Sequence, residues 1–148
     1  MGQRRRAREY ALQMLFQIDL SGGPPDSVFP DFWGSQDAPE DVRAFAERLV
    51  RGACSHQESL DAAIADAAQR WRIERMATVD RNVLRLATFE LMFEDDTPSA
   101  VILDEAIEIV KKYGSEDSGR FINGILDGIR KKVESGELGM APGRGGPG

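Results

Sequence analysis

The sequence has one cysteine and one histidine, Cys54 and His56, among its 148 residues. A lone cysteine cannot form an intramolecular disulfide, and one cysteine with one histidine cannot supply the ligand set of a zinc site. The two residues are two positions apart, so on a helix their side chains point to different faces. We therefore expect both to pack at a helix end, and the sequence predicts a protein that is not an enzyme and holds no metal or cofactor.

Long apolar runs are also missing. No run approaches the roughly 20 apolar residues that a membrane span needs. The arginines near the first residue are followed by polar side chains at Glu9, Gln13, Gln17 and Asp19, unlike the apolar centre of a secretory signal. The sequence therefore predicts a cytoplasmic protein without a membrane segment.

Strand patterns are absent as well, because no segment alternates convincingly between apolar and polar residues. Alanine and leucine dominate the apolar set, and apolar residues recur every three or four positions, which predicts an all-α fold of about seven helices. The predicted elements are a helix over residues 5–20, a short helix or packed loop near 28–33, a helix from Pro39 that breaks near Ser55 and His56, a helix reaching Trp71, a helix with Thr78 as its N-cap, a helix near 98–113, and a last helix capped by Ser115 or Asp117.

The helix that starts near Thr78 has apolar residues on nearly all of its sides. That pattern predicts a central, mostly buried helix, with Leu86 in the core. A break between Ser55 and Arg75 divides one domain of residues 1–135 into subdomains of roughly 1–70 and 76–135. Residues 136–148 are rich in glycine and proline without periodicity, so we expect a disordered tail there.

Charge is distributed unevenly along the chain. The protein has 19 lysines and arginines against 25 aspartates and glutamates, a net charge of −6. Four arginines and two acidic residues give the first 20 residues a charge of +2, which leaves −8 for the rest. Because the arginine fork matches phosphate oxygens, RNA or DNA backbone is the first candidate ligand. We expect these arginines to precede the apolar face of the first helix or to point away from it; the alternative is a solubilising segment that binds nothing.

Arginines also surround Trp71, at positions 70, 72 and 75. This interleaving suits the stacking of a nucleobase beside phosphate contacts. The alternative is that Trp71 fills the core between the two subdomains while the arginines extend into solvent. We favour the core position because Trp71 continues the apolar face of Ile64, Ala67 and Ala68.

Three blocks of the sequence resemble the bacterial transcription antitermination factor NusB family, in the family's order. The blocks are residues 5–9, RRARE, followed by Ala11, Gln13, Leu15 and Phe16; residues 80–91, DRNVLRLATFEL; and residues 98–114, PSAVILDEAIEIVKKYG, continued by residues 117–127, DSGRFINGILD. The similarity covers roughly residues 4–133. Leu103 stands where the family often has asparagine, and the Gly/Pro tail is not part of the pattern.

The resemblance implies an all-helical fold of two small packed bundles and no enzymatic activity. It also implies a partner, the small-subunit ribosomal protein NusE. The heterodimer would bind the single-stranded boxA element of ribosomal RNA transcripts and help RNA polymerase to read through terminators. Some family members also form homodimers that cover the RNA surface.

The resemblance and the charge pattern together assign roles to particular residues. The residues expected to contact RNA are Arg4, Arg5, Arg6, Arg8, Arg120 and Phe121. Phe121 is expected to stack on a base or, with equal weight, to pack in the core. Asp80 and Asp117 are expected to face NusE, and the alternative for both is a simple helix cap.

Two other hypotheses remain open. The chain could be the helical RNA-binding module of a ribosomal RNA cytosine methyltransferase, which shares this fold, although no cofactor-binding α/β pattern is present. It could also be a structural homodimer with no nucleic-acid role. The acidic remainder of the chain disfavours RNA binding by the chain alone and suits a basic ribosomal partner.

Overall fold

The computed structural model describes residues 2–69 and 71–138, and within these ranges it contains seven α-helices, two 3-10 turns and no strand. The helices are α1 (Gly2–Ser21), α2 (Phe29–Ser35), α3 (Glu40–Ser55), α4 (Gln57–Ala68), α5 (Thr78–Phe93), α6 (Ser99–Tyr113) and α7 (Ser118–Glu134). The 3-10 turns are Pro25–Ser27 and Ile73–Arg75. The predicted all-α fold of about seven helices is confirmed.

The break between α3 and α4 lies where the sequence predicts it, at His56. The His56 ring stacks on Phe93 with ring centroids 4.1 Å apart. Cys54 is half-buried, and burial, together with the charge of Asp19, raises the pKa of its thiol. A raised pKa keeps the thiol protonated, which is the opposite of what an activated nucleophile needs.

The two predicted helix caps differ from expectation in detail. Thr78 is the first residue of α5, and Ala77 holds the cap position without a side-chain hydrogen bond. Asp117 does hold the cap position of α7, but its side chain forms no cap hydrogen bond. Instead the Ser118 hydroxyl accepts a hydrogen bond from the backbone N–H of Ser115 at 3.0 Å.

Helix α5 is the centre of the fold, as its apolar pattern predicts. It contacts α1, α3, α4, α6 and α7, and it is buried on every turn from Asn82 to Met92. Leu84 and Leu91 are fully enclosed, and Leu86 is buried as expected. Because α5 contacts helices on all sides, it needs apolar residues around its whole circumference.

The other helices pack around α5 in two groups. Helices α1 and α3 lie against each other and against α5, and α2 contacts α1 through the rings of Phe32, Trp33 and Tyr10. Helices α4, α6 and α7 cover the rest of α5. The apolar side chains of both groups form one continuous core. The proposed boundary between subdomains 1–70 and 76–135 stays a prediction.

The chain turns sharply after α7. Gly136 takes a left-handed φ of 83°, which lets the N–H of Glu137 bond back to the carbonyl of Lys132, and Leu138 packs against the core. The rest of the tail that is predicted to be disordered, residues 139–148, lies outside the described residues. Among the residues that are described, no helix is both long and apolar enough to cross a membrane.

Candidate nucleic-acid interface

Arg4 and Arg5 lie on the surface near the start of α1, and both are paired with carboxylates. The Arg4 guanidinium is 4.0 Å from the centroid of the Phe45 ring and 3.3 Å from a carboxylate oxygen of Asp96. Arg5 donates two hydrogen bonds to Glu105, at 3.0 and 2.7 Å. Both side chains remain partly open to solvent, so a phosphate could reach them only in competition with these carboxylates.

Arg6 is exposed and differs from its neighbours. Its guanidinium donates a hydrogen bond of 2.6 Å to the Tyr10 hydroxyl, and within residues 2–69 and 71–138 it has no carboxylate partner. Its positive charge is therefore not neutralised by the fold. Of the four N-terminal arginines, Arg6 is the most available to an anion.

Arg8 corrects the expectation that all four arginines precede the apolar face or point away from it. Only 5% of Arg8 is exposed, and it donates two hydrogen bonds of 2.8 Å to Glu90 on α5, which is 2% exposed. Burial lowers the pKa of Arg8, but the hydrogen bonds and charge of Glu90, with the charge of Glu105, outweigh burial and raise it. Arg8 thus forms a buried ion pair with Glu90. The pairing compensates for the burial of the guanidinium charge on the inner face of α1.

The pKa values of two carboxyl groups near these arginines, Glu105 and Glu94, shift in opposite directions. The hydrogen bond from Arg5 lowers the pKa of Glu105 below its ordinary 4.5, because this bond and the charges of Arg5 and Arg8 outweigh burial. Burial raises the pKa of Glu94 despite the opposing charge of Arg48. Apart from Arg6, the arginines at the start of α1 therefore belong to a network of paired charges and do not form the isolated cationic patch that composition predicts.

A groove of about 470 Å³ lies between the starts of α5 and α7. It brings together four residues that the sequence singles out separately, Asp80, Asp117, Arg120 and Phe121. The full lining is Trp71, Arg75, Met76, Ala77, Asp80, Ser115, Asp117, Ser118, Arg120 and Phe121. Sequence reasoning did not assign Arg75 to this site, although the alternation of arginines with Trp71 was a signal for it.

Trp71 is exposed, so the favoured prediction that it fills the inter-subdomain core is wrong. Helix α4 ends at Ala68, and Gln69 then adopts a left-handed φ of 53°, which takes the chain off the apolar face of that helix. Trp71 is 60% exposed, and its ring meets Phe121 edge-on with centroids 5.5 Å apart. Phe121 is half-buried and packs partly against the core; its stacking on a base stays a prediction.

The two acidic residues of the groove have different environments. Asp117 is exposed at the cap position of α7. Asp80 is only 8% exposed, and its Oδ1 atom is buried and accepts no hydrogen bond. Neither side chain forms an ion pair with a described residue, so both carboxylates retain unused capacity to accept hydrogen bonds.

The α1 arginines do not line the groove, but α1 contacts α6 close to it. The Lys112 ammonium and the Tyr113 hydroxyl each donate a hydrogen bond of 3.2 Å to the Glu9 carboxylate, and Ser115, two residues after Tyr113, lines the groove.

A second depression, of about 610 Å³, adjoins the groove. It shares Asp117 and Arg120 with the groove and adds Lys111 and Asn123 from α6 and α7. The described residues contain no group of three or more His, Cys, Asp or Glu arranged to hold a metal ion. The site is thus made of aromatic, cationic and carboxylate side chains.

The model of the NusB family matches residues 5–131 of the sequence. The chain belongs to the NusB family. A curated relative of this NusB-family chain is the transcription antitermination protein NusB of Anaeromyxobacter dehalogenans, 52% identical over 134 residues, which are 90% of this chain and 91% of the relative. The family resemblance seen in the sequence is thereby confirmed.

Solved structures of NusB proteins share the fold as well. T. maritima NusB has a TM-score of 0.80 at 40% identity, covering 87% of this chain and 91% of that one. NusB in a crystal structure of antitermination factors NusB and NusE in complex with dsRNA has a TM-score of 0.80 at 32% identity, covering 88% of this chain and 98% of that one. These structures thus share the fold over 87–88% of this NusB-family chain.

Proposed function

We propose that this chain is a transcription antitermination factor that pairs with NusE and binds the boxA element of ribosomal RNA transcripts within an RNA polymerase antitermination complex. The observation that carries this proposal is the likeness, over 88% of the chain, to NusB in a complex that contains both NusE and RNA. The role is that of a binding adaptor, with no reaction of its own.

The surface of the chain supports a role that needs a partner. With a net charge of −6, the chain repels the RNA backbone at long range and should bind RNA weakly when alone. Three arginines near the start of α1 are already paired with carboxylates of the fold. A basic partner protein would supply the positive field that the chain lacks and would extend the RNA-binding surface.

The RNA-contacting residues that we propose are the accessible ones. Arg4, Arg5 and Arg6 contact phosphates at the start of α1, and Arg120 and Phe121 contact RNA at the groove. Arg8 is left out of the contact set because its guanidinium is enclosed with Glu90 and Glu105. Its contribution is to hold the start of α1 against α5.

Asp117 is the carboxylate that we propose for the NusE interface. It is exposed and has no partner among the described residues, so a cation of NusE can reach it. Replacing Asp117 by Asn removes the charge but no cap hydrogen bond, because the Asp117 side chain forms none, so the free energy of unfolding should change by less than about 0.5 kcal/mol. Calorimetric titration should show a weaker affinity for NusE. An unchanged affinity would mean that Asp117 does not contribute to the NusE interface.

The deciding experiment measures RNA binding by the chain alone, by NusE alone and by their mixture, with boxA RNA and a scrambled RNA of equal composition. We expect weak binding by the chain alone, a one-to-one complex with NusE by gel filtration, and tighter binding of boxA than of the scrambled RNA by the complex. Failure to form the complex, or equal binding of both RNAs, would overturn the proposal. A homodimer that binds neither NusE nor RNA would favour the alternative of a structural homodimer without a nucleic-acid role.

A further inference from the structure

Two arginines from different helices converge on one carboxylate oxygen. The Nη2 atoms of Arg4 on α1 and Arg48 on α3 lie 3.3 and 3.7 Å from the same Oδ2 atom of Asp96. Both guanidinium groups also lie over one ring, that of Phe45, with their Cζ atoms 4.0 and 5.2 Å from its centroid. An aromatic face attracts a guanidinium group, so Phe45 holds two cations close together around a single anion.

The anion between these arginines is not held by a helix. Asp96 belongs to the connection between α5 and α6, residues 94–98, which lies outside both helices. The side chains of Asp96, Arg4 and Arg48 are all about half exposed. Because an ion pair between exposed side chains contributes little to stability, Asp96 can leave the two arginines without unfolding a helix.

The pKa of Asp96 shows which kind of group the two arginines favour. Burial raises this pKa, but the charge and hydrogen bond of Arg4, together with the charge of Arg48, outweigh burial and lower it below its ordinary 3.8. The two cations therefore favour an ionised oxygen at this point. A phosphodiester, like a carboxylate, carries one negative charge shared by two oxygens, and guanidinium groups bind both through the same charge-assisted hydrogen bonds.

We propose that Asp96 is an internal competitor of RNA and occupies, in the free chain, a phosphate site that Arg48 forms together with Arg4. Binding of the RNA backbone displaces Asp96 from the two arginines. This inference rests on the proposed RNA-binding function. It adds a phosphate contact on α3 and gives the acidic connection between α5 and α6 an autoinhibitory role.

Arg48 has a second partner that keeps it in position when Asp96 leaves. Its Nη2 atom lies 2.7 Å from Oε1 of Glu94, whose side chain is mostly buried. A guanidinium group has five N–H donors, so Arg48 can pair with Glu94 and bind a phosphate at the same time. Glu94 and the Phe45 ring thus hold Arg48 where the phosphate site needs it.

RNA is the anion that displaces this competitor. Because Asp96 is attached to the same chain, it competes at a high effective concentration, and a small anion with one contact gains too little to replace it. An RNA strand gains counterion release at each phosphate and also reaches the partly exposed Arg5 and the exposed Arg6 of α1. Asp96 therefore suppresses the binding of isolated anions and yields to a strand that contacts several arginines at once.

The test of the phosphate contact measures binding of boxA RNA to the complex with NusE by fluorescence anisotropy over a salt series. Arg48→Ala should lower the magnitude of the slope of log affinity against log salt by about 0.7, the value for one phosphate contact on a single strand. Arg51→Ala is the matched control and should leave the slope unchanged. Arg51 is one turn further along α3 and is likewise exposed and paired with carboxylates, but it lies over Phe29 and not over Phe45.

The test of the competition uses Asp96→Asn in the same complex. Removing the carboxylate should raise the affinity for boxA RNA roughly threefold to fivefold, the equivalent of one exposed ion pair that no longer has to be broken. Asp95→Asn makes the same charge change in the same connection, at an exposed residue without an ion pair to a described residue, and should change the affinity by less than about twofold because salt screens its charge. In a chain that also carries Arg4→Ala and Arg48→Ala, the gain from Asp96→Asn should disappear.

The outcomes separate this inference from the proposed function. If the complex binds boxA RNA but Arg48→Ala has the slope of Arg51→Ala, or Asp96→Asn has the affinity of Asp95→Asn, the inference is overturned while RNA binding stands. If Asp96→Asn changes the affinity for NusE and not that for RNA, the two arginines serve the protein partner and the inference is again overturned. If the unmodified complex does not bind boxA RNA, both the inference and the proposed function fail.

Discussion

At the scale of single residues, Arg8 forms a buried ion pair, whereas the other arginines of α1 are exposed or partly exposed. Its two hydrogen bonds to Glu90 join α1 to the central helix α5. Replacing Arg8 by Ala leaves the Glu90 carboxylate, 2% exposed, buried without its partner. We expect the free energy of unfolding to fall by about 3–5 kcal/mol, measured by urea denaturation.

Arg6→Ala is the matched control for this variant, because Arg6 is on the same helix but is exposed and pairs only with Tyr10. Its stability should stay within about 0.5 kcal/mol of the unmodified protein. If Arg8→Ala and Arg6→Ala had the same urea midpoint, the buried pair would contribute nothing to the free energy of unfolding. Glu90 would then have found another partner.

Glu105 makes the free energy of unfolding depend on pH. Arg5 lowers the pKa of this carboxyl below 4.5 in the folded protein, so the folded state favours the ionised form. The resulting stability is fully present above the unfolded pKa and is lost as the pH falls through the lowered folded pKa. In Glu105→Gln the group cannot titrate, so the stability difference between the two proteins should be constant above about pH 4.5 and should shrink below it.

Urea midpoints measured over a pH series check this prediction. Glu94 provides an internal contrast, since burial raises its pKa and its contribution is present at low pH and lost as the pH rises. A difference between the unmodified protein and Glu105→Gln that grows on acidification would contradict the assigned direction.

At the scale of helices, α3 approaches α5 closely at a single glycine. A Cβ atom at Gly52 would lie 2.1 to 2.6 Å from the Phe89 ring atoms. Phe89 is buried and stacks with Phe93 and His56, so a displacement of its ring would disturb these contacts. Gly52→Ala should therefore destabilise the protein by about 1–3 kcal/mol through overpacking, measured by thermal and urea denaturation.

Gly124→Ala should change stability in the opposite direction. Gly124 is in the middle of α7, is exposed, and has no atom within 4 Å of an added Cβ. Alanine is favoured over glycine in a helix interior, so a gain of roughly 0.5–1 kcal/mol is expected. If both alanine variants were stabilised equally, α3 and α5 would not be in close contact at Gly52.

At the scale of the whole molecule, few of the positive charges that the structure describes are free to bind RNA. Arg4, Arg5 and Arg8 are paired with carboxylates, whereas Arg6 at the start of α1, Arg43 on α3, and Arg75 and Arg120 at the groove form no ion pair with a described residue. Together with the net charge of −6, this distribution explains why RNA binding should need a basic partner. It also makes the salt dependence of binding a direct measure of the arginine contacts.

The triple variant Arg4→Ala, Arg5→Ala, Arg6→Ala tests these contacts in the complex with NusE. If each arginine neutralises one phosphate, the slope of log affinity against log salt should decrease in magnitude by about 2, at about 0.7 per contact on single strands. Stability should change little because the ion pairs that are removed are partly exposed. An unchanged slope would mean that α1 does not contact the backbone.

Much of the fold was predictable because it depends on local pattern. Apolar residues at three- and four-residue spacing mark the helices, and the all-round apolar surface of α5 identifies the central helix before any contact is known. The helix break at His56 and the burial of Leu86 also follow from local pattern. The resemblance to the NusB family added the expectation of two packed bundles and of the partners NusE and boxA RNA.

Only the tertiary structure decided which charged and aromatic residues are available at the surface. The partners of Arg4, Arg5 and Arg8 are 92, 100 and 82 positions away in the chain, so no spacing rule could have separated these arginines from Arg6. Periodicity also favoured a buried Trp71, since it continues the apolar face of α4, but the helix ends three residues earlier and the chain turns at Gln69. Helical periodicity is a local property of the sequence, whereas ion pairing and exposure depend on which distant segments the folded chain brings together.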